Sequence, residues 1–372
     1  MAMGGSSQRP VSPAVAPLGY QPPWNVGERW ANGPRYTSRR MALKQPIGRV
    51  GDVMTVPSGT FAQNTGQVIL LANGNVLIGH RSGANNAPFI YDPYRNVLYS
   101  TPFTTISGFG IQLPDSTLLS LVAGSPGAVY DLNYGRIGTL GTTIPAGVGF
   151  LRLSGWELLL FTTAGGAMYR YDVRGDNITR LASTWPASGF DQPILLPNGR
   201  VFIPPVSSST GRVYDLVQDQ MITTCTFPNI GAYTFTGSCV LPNGEVFCSP
   251  RNSASANIYN PVTDTVRSVS GFDNYGAIVN YGISCVLMPD GRVLIPVFAT
   301  SGGNARIYDP VTNTVFTTSM TWPSSYGMGY AVVLQDGRIY CCAFNSTTSR
   351  IYGNATYSIP PARLLPSLLT PS

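Results

Sequence analysis

The chain has 372 residues with 41 Gly, 31 Pro and only 11% charged side chains, a composition that argues against long helices and for many short strands joined by tight turns. No stretch approaches the roughly 18 consecutive apolar residues of a membrane span, and the first 30 residues lack the apolar run of a secretory signal. The net charge of +6 belongs entirely to residues 1–50, where seven basic groups face Glu28 alone. The other 322 residues hold 16 basic and 16 acidic groups.

Residues 1–47 read as an extended arm. Arg9-Pro10-Val11-Ser12-Pro13 and Gln21-Pro22-Pro23-Trp24 are proline-rich and without periodicity. Such a segment cannot bury a core and is expected to order only against another surface. Trp24, Arg29, Trp30, Arg35, Tyr36, Arg39 and Arg40 are the expected partner-binding residues, because aromatic anchors interleaved with arginines suit interfaces. A disordered tail is the alternative. Cationic segments also seek phosphate, but six net charges over some fifty residues is a modest signal, and nucleic acid is not the expected partner.

From about residue 48 a repeat takes over. Each unit holds an apolar run, a Pro-Asn-Gly-type turn, a second apolar run, a small polar loop, and a strand ending in Tyr. The turn is clearest at Leu196-Pro197-Asn198-Gly199-Arg200, Leu241-Pro242-Asn243-Gly244-Glu245 and Met288-Pro289-Asp290-Gly291-Arg292. Weaker copies centre on Asn73-Gly74, Asp115-Ser116, Ser154-Gly155 and Asp336-Gly337. The second landmark is Tyr91, Tyr130, Tyr171, Tyr214, Tyr259, Tyr308 and Tyr352, spaced 39 to 49 residues apart. Seven units in phase at this period predict an all-β, seven-bladed β-propeller of four-stranded blades over 48–361, with the arm before it and a tail at 362–372. Asn-Gly and Asp-Gly predict two-residue hairpins between strands A and B. The Asp-Pro-Val-Thr-Asn-Thr type of segment after the Tyr predicts the C–D turn. Residues 52–57 look like the end of a strand D, and a strand near residues 50–56 is expected to complete or latch the last blade, covering an open edge.

The A–B and C–D turns then share one rim, and the B–C loops share the other with the linkers between blades. Linker aromatics include Phe109, Phe235, Tyr330 and the candidate ligand-rim residues Trp185, Phe190, Tyr233, Tyr275, Tyr281, Trp322 and Tyr326. Aromatics among small polar loops suit sugar stacking or protein docking; equally, they could plug the spaces between blades.

Catalytic and metal chemistry is sparse. His80 is the single histidine, so a site needing several imidazoles is excluded. Asp92, Asp131, Asp172, Asp215 and Asp309 follow the landmark Tyr and read as turn formers. Asp191 and Asp273 are the remaining pair that could approach one another as a glycosidase would require. The six cysteines match no zinc spacing and read as buried reduced thiols. No cofactor and no catalytic residue is expected.

The units Leu-Pro-Asn-Gly-Arg-Val and Arg-Ile-Tyr-Asp-Pro-Val-Thr-Asn-Thr resemble the kelch-like propeller repeats of tailed-bacteriophage structural proteins, over about residues 50–360. That resemblance implies a non-enzymatic virion protein, in a tail or surface appendage, whose partners are other virion proteins and copies of itself. A propeller recognising a host surface glycan is the alternative, and a glycan-cleaving enzyme a more distant one.

Overall fold

The computed structural model describes residues 53–55, 65–80, 88–101, 109–121, 124–131, 135–145, 148–162, 166–186, 190, 192–206, 208–228, 235–250, 253–272, 285–296, 304–321, 328–343 and 349–353. They form seven four-stranded antiparallel sheets, each a meander in chain order except the last. Blade 1 comprises Thr65–Leu70, Val76–His80, Phe89–Asp92 and Val97–Ser100. Blade 3 comprises Val148–Arg152, Glu157–Thr162, Gly166–Asp172 and Asn177–Trp185. Blade 4 comprises Ile194–Leu195, Val201–Ile203, Thr210–Asp215 and Gln220–Thr226. Blades 2, 5 and 6 cover 109–143, 235–270 and 286–321.

Blade 7 closes the ring. Met328–Val333, Ile339–Ala343 and Arg350–Tyr352 supply three strands, and Val53–Thr55 supplies the outermost one. Val53 pairs with Tyr352, Met54 with Ile351 and Thr55 with Arg350. The strand expected near 50–56 therefore latches the last blade, and the two ends of the propeller are tied together by backbone hydrogen bonds. The seam between blades 7 and 1 is further held by Gln335 Nε2, which donates to the Ala72 carbonyl at 3.0 Å. Arg338, 2% exposed, donates to Asp336 at 2.7 Å and to the Pro93 carbonyl of blade 1 at 3.0 Å.

Stacking of sheets explains the burial pattern. Inner strands are covered on both faces and are mostly apolar, as in Leu118–Leu121 and Val246–Pro250, buried throughout with one serine each. Strand D lies outermost, so Asn177–Trp185 alternates between half-buried and exposed positions. Tyr91, Tyr171, Tyr214 and Tyr308 are fully buried. In three seams the landmark Tyr of one blade stacks on the strand B aromatic of the blade before it. Phe202 meets Tyr259 at 4.5 Å, Phe247 meets Tyr308 at 5.2 Å, and Tyr340 meets Tyr91 at 5.2 Å. Each such pair adds about 0.5–1.5 kcal/mol beyond its buried area. All six cysteines are free thiols, five of them buried.

The A–B turns differ from the expected two-residue hairpins. Gly199 N–H donates to the Leu196 carbonyl at 3.0 Å, and Leu196 N–H to the Arg200 carbonyl at 2.8 Å. Only the glycine is left-handed: Gly74, Gly199, Gly244, Gly291 and Gly337 have φ of 81–87°. This is a three-residue loop, a type I turn followed by a glycine bulge. In a two-residue Asn-Gly loop Pro197 would have to supply the N–H that proline lacks, and the same three-residue loop forms with Ala72 and Gln335 in that position. Asn198 Oδ1 completes the turn by accepting the Arg200 amide at 3.1 Å.

Candidate functional site

The C–D rim absorbs most carboxylates into the architecture. Asp215 accepts the amides of Val217 and Gln218, both at 3.0 Å, and Asp92 those of Tyr94 and Arg95 at 2.9 and 3.0 Å. A second set has no counterpart in the sequence expectations. The residue five beyond the landmark Tyr is left-handed in five blades: Asn96, Asp176, Asp219, Asp264 and Asn313, with φ of 47–55°. Asn and Asp tolerate this conformation better than other side chains. Each accepts the Tyr hydroxyl, at 2.8, 2.9, 2.7, 3.2 and 3.0 Å in that order.

The three aspartates of that set also reach the preceding blade. Asp219 accepts the amides of Ala182 at 2.6 Å and Ser183 at 3.2 Å. Asp176 accepts from Gly141 and Thr142, and Asp264 from Cys225 at 3.1 Å. Burial alone would push the Asp176 and Asp219 carboxyls up, but these donors outweigh it and hold both below the usual carboxylate range. Asp215 is held low chiefly by the Gln218 amide. These groups stay ionised and saturated with donors, so they act as fasteners between blades. Tyr-x4-Asp/Asn is the sequence signal that could have revealed them.

On the opposite rim, Phe109, Phe235 and Tyr330 fall within strands A of blades 2, 5 and 7 rather than in linkers. Of the candidate ligand-rim aromatics, the structure describes Trp185 and Phe190 and brings them to one seam, between blades 3 and 4. Trp185 is not an open platform. It ends the long strand Asn177–Trp185, is 5% exposed, and stacks on Phe161 at 4.0 Å. Its ring is packing material because strand D runs farther than the turn signals suggest. Tyr233, Tyr275, Tyr281, Trp322 and Tyr326 lie outside the described residues, as do Asp191, Asp273 and the arm residues Trp24, Arg29, Trp30, Arg35, Tyr36, Arg39 and Arg40.

Phe190 is half-buried and pinned by a β-bridge to Pro205. It lines a groove of about 670 Å³ with Ser183, Thr184, Pro186, Arg212 and Met221. Strand D of blade 3 forms one wall, and strands C and D of blade 4 form the other. The Arg212 guanidinium stands 5.4 Å over the Phe190 ring, within the range of a cation–π contact. Its Nη1 donates to Thr210 Oγ1 at 2.8 Å and to the Gly211 carbonyl at 2.9 Å. A fixed cation, an aromatic face and flanking hydroxyls make this groove a candidate binding feature. Chemically it can hold a small polar or anionic group.

These features define the protein as a seven-bladed β-propeller, and solved structures agree. The extracellular domain of a hybrid two-component system from B. thetaiotaomicron is similar at TM-score 0.58 and 13% identity, covering 83% of this chain. This chain spans 44% of that domain. A streptogramin B lyase is similar at TM-score 0.60 and 9% identity, over 82% of this chain and 97% of the lyase. The WD40 β-propeller domain of Doa1 is similar at TM-score 0.55 and 13% identity, over 82% of this chain and 96% of that domain. Identities this low speak to fold alone, and propellers host both enzymes and binding modules. No family model and no curated protein matches the sequence.

Proposed function

We propose that this protein is a non-enzymatic structural module of a virion, a propeller in the tail or a surface appendage of a tailed phage, attached through residues 1–47. The observation that carries the reading is the site of ring closure. Val53–Thr55 is the outermost strand of blade 7, so the chain before it departs from the perimeter of a rigid ring. A basic, aromatic and proline-rich segment that leads into an outer strand suits clasping a neighbour without disturbing the blades. Other virion proteins and further copies of this chain are the partners this reading supplies. The test compares the native mass and particle incorporation of the full chain with those of a chain lacking 1–47. Loss of oligomers or of incorporation without the arm supports the assignment. Identical masses and equal incorporation would sink it.

A second reading is recognition of a host surface glycan through the linker rim. The groove between blades 3 and 4 favours it, because an aromatic wall beside hydroxyl side chains suits a sugar.

A further inference from the structure

Resting on the glycan-recognition reading, we infer that the groove between blades 3 and 4 selects an acidic saccharide, with Arg212 holding its carboxylate and Phe190 its apolar face. A guanidinium carries five N–H donors. The two on Nη1 are taken by Thr210 and Gly211, which fix the plane of the group. Among the described residues, Nε and Nη2 meet no acceptor and no carboxylate pairs with the side chain. The Nε–Nη2 edge is the one that grips a carboxylate with two parallel bonds.

Five other arginines among the described residues show what a structural ion pair looks like. Arg170, Arg200, Arg267, Arg292 and Arg338 are each paired with a carboxylate. Arg212 has instead a ring beneath it, two bonds that orient it, and a groove in front of it. That arrangement leaves a half-buried positive charge to be met by something from outside.

The rest of the groove argues for a sugar as the carrier of the negative charge. Thr184 is exposed and Ser183 keeps acceptor capacity after donating to the Asp219 carbonyl at 2.6 Å. Phe190, Pro186 and Met221 supply apolar surface. Alternating hydroxyl partners and an aromatic face match a pyranose, whose rim is polar and whose C–H face is apolar. A bare phosphate would use the cation and the hydroxyls but leave the ring and the apolar surface of Phe190, Pro186 and Met221 without a partner.

The test is isothermal titration calorimetry of the full chain with trigalacturonate and with 3′-sialyllactose, using maltotriose and lactose as neutral counterparts. Binding of an acidic sugar is expected. Arg212→Met should weaken it by about tenfold or more, and Arg212→Lys, which keeps charge but not the fork, by about fivefold. Phe190→Ala should weaken it as well, and Arg174→Ala, on the opposite rim, should not. Melting curves of each variant check that the fold is intact, and the lysine variant keeps the test open should the methionine variant not fold. Neutral sugars binding as tightly, indifferent to Arg212→Met, would overturn the acidic assignment while leaving glycan recognition standing. Silence toward all four sugars would overturn both. Arg212-dependent binding of a peptide carboxylate alone would overturn the saccharide class.

Discussion

Tyr214 Oη lies 2.7 Å from Asp219 Oδ1, and the same carboxylate accepts the Ala182 amide of the neighbouring blade at 2.6 Å. One side chain thereby joins strand C of its own sheet, the left-handed turn it occupies and strand D of the sheet before it. Asp219→Ala strands the Tyr214 hydroxyl and two amides, and places alanine at φ 49°. The expected cost is about 2–3 kcal/mol. Asp219→Asn should cost about 1 kcal/mol, because Asn96 and Asn313 accept the landmark Tyr hydroxyl in blades 1 and 6 from the same turn position. Urea midpoints of the two variants check the ranking, and equal midpoints would refute it.

The same fasteners set the pH window of stability. Asp176, Asp215 and Asp219 have folded values held below the ordinary one. Their contribution is present above the unfolded value of about 3.9 and is lost as pH falls through the folded values. The landmark tyrosines act in the opposite sense. Burial raises Tyr91, Tyr171, Tyr214 and Tyr259, so their contribution is complete below about pH 10 and drains away above it. Melting temperature against pH should be flat between about 5 and 9, falling at both ends. Asp219→Asn should soften the acid limb and, because the Asp219 charge also helps to raise Tyr214, part of the alkaline limb.

What is legible in the sequence follows from what repeats locally. The Pro-Asn-Gly turns and the landmark tyrosines recur because every blade needs the same hairpin and the same buried ring, so blade number, strand order and the closing strand near residue 53 can be read directly. The turn type cannot be read from the dipeptide Asn-Gly alone: the same three-residue loop forms with Pro197, Ala72 or Gln335 at its first position. The Tyr-x4-Asp/Asn fastener escapes notice because its second partner is a backbone amide some 35 to 39 positions away, as from Asp176 to Gly141 or from Asp264 to Cys225. A backbone donor leaves no side-chain signature. The Arg212–Phe190 groove escapes for a related reason: Arg212 sits in strand C with nothing in its neighbours to distinguish it from Arg306 or Arg350, and only the fold sets Phe190 beneath it.

Ring closure predicts a sharp boundary between dispensable and essential N-terminal residues. A chain beginning at residue 48 retains Val53–Thr55 and should melt like the full protein. A chain beginning at residue 57 leaves the Arg350–Tyr352 strand with an unpaired edge, an invitation to edge-to-edge association. It should melt at least about 3 °C lower, on a loss of about 2 kcal/mol or more for a chain of this size. It should also form soluble aggregates visible by light scattering. Equal melting of the two truncations would show that the strand does not bear on closure.

Two glycines separate steric from conformational cost. Gly199 has φ 81° and open space where an added methyl group would stand, so Gly199→Ala tests backbone strain alone and should cost about 1–2 kcal/mol. Gly149 has no such backbone demand, but a methyl group there would stand 2.5 Å from Phe161 Cε2. Phe161 cannot retreat freely, because Trp185 is stacked on it at 4.0 Å. Gly149→Ala should therefore cost about 1–3 kcal/mol through overpacking. It should also disturb the near-ultraviolet circular dichroism that a buried, stacked tryptophan produces, whereas Gly199→Ala should leave that signal intact. A destabilised Gly149→Ala with an unchanged aromatic spectrum would place the strain elsewhere than the Phe161–Trp185 stack.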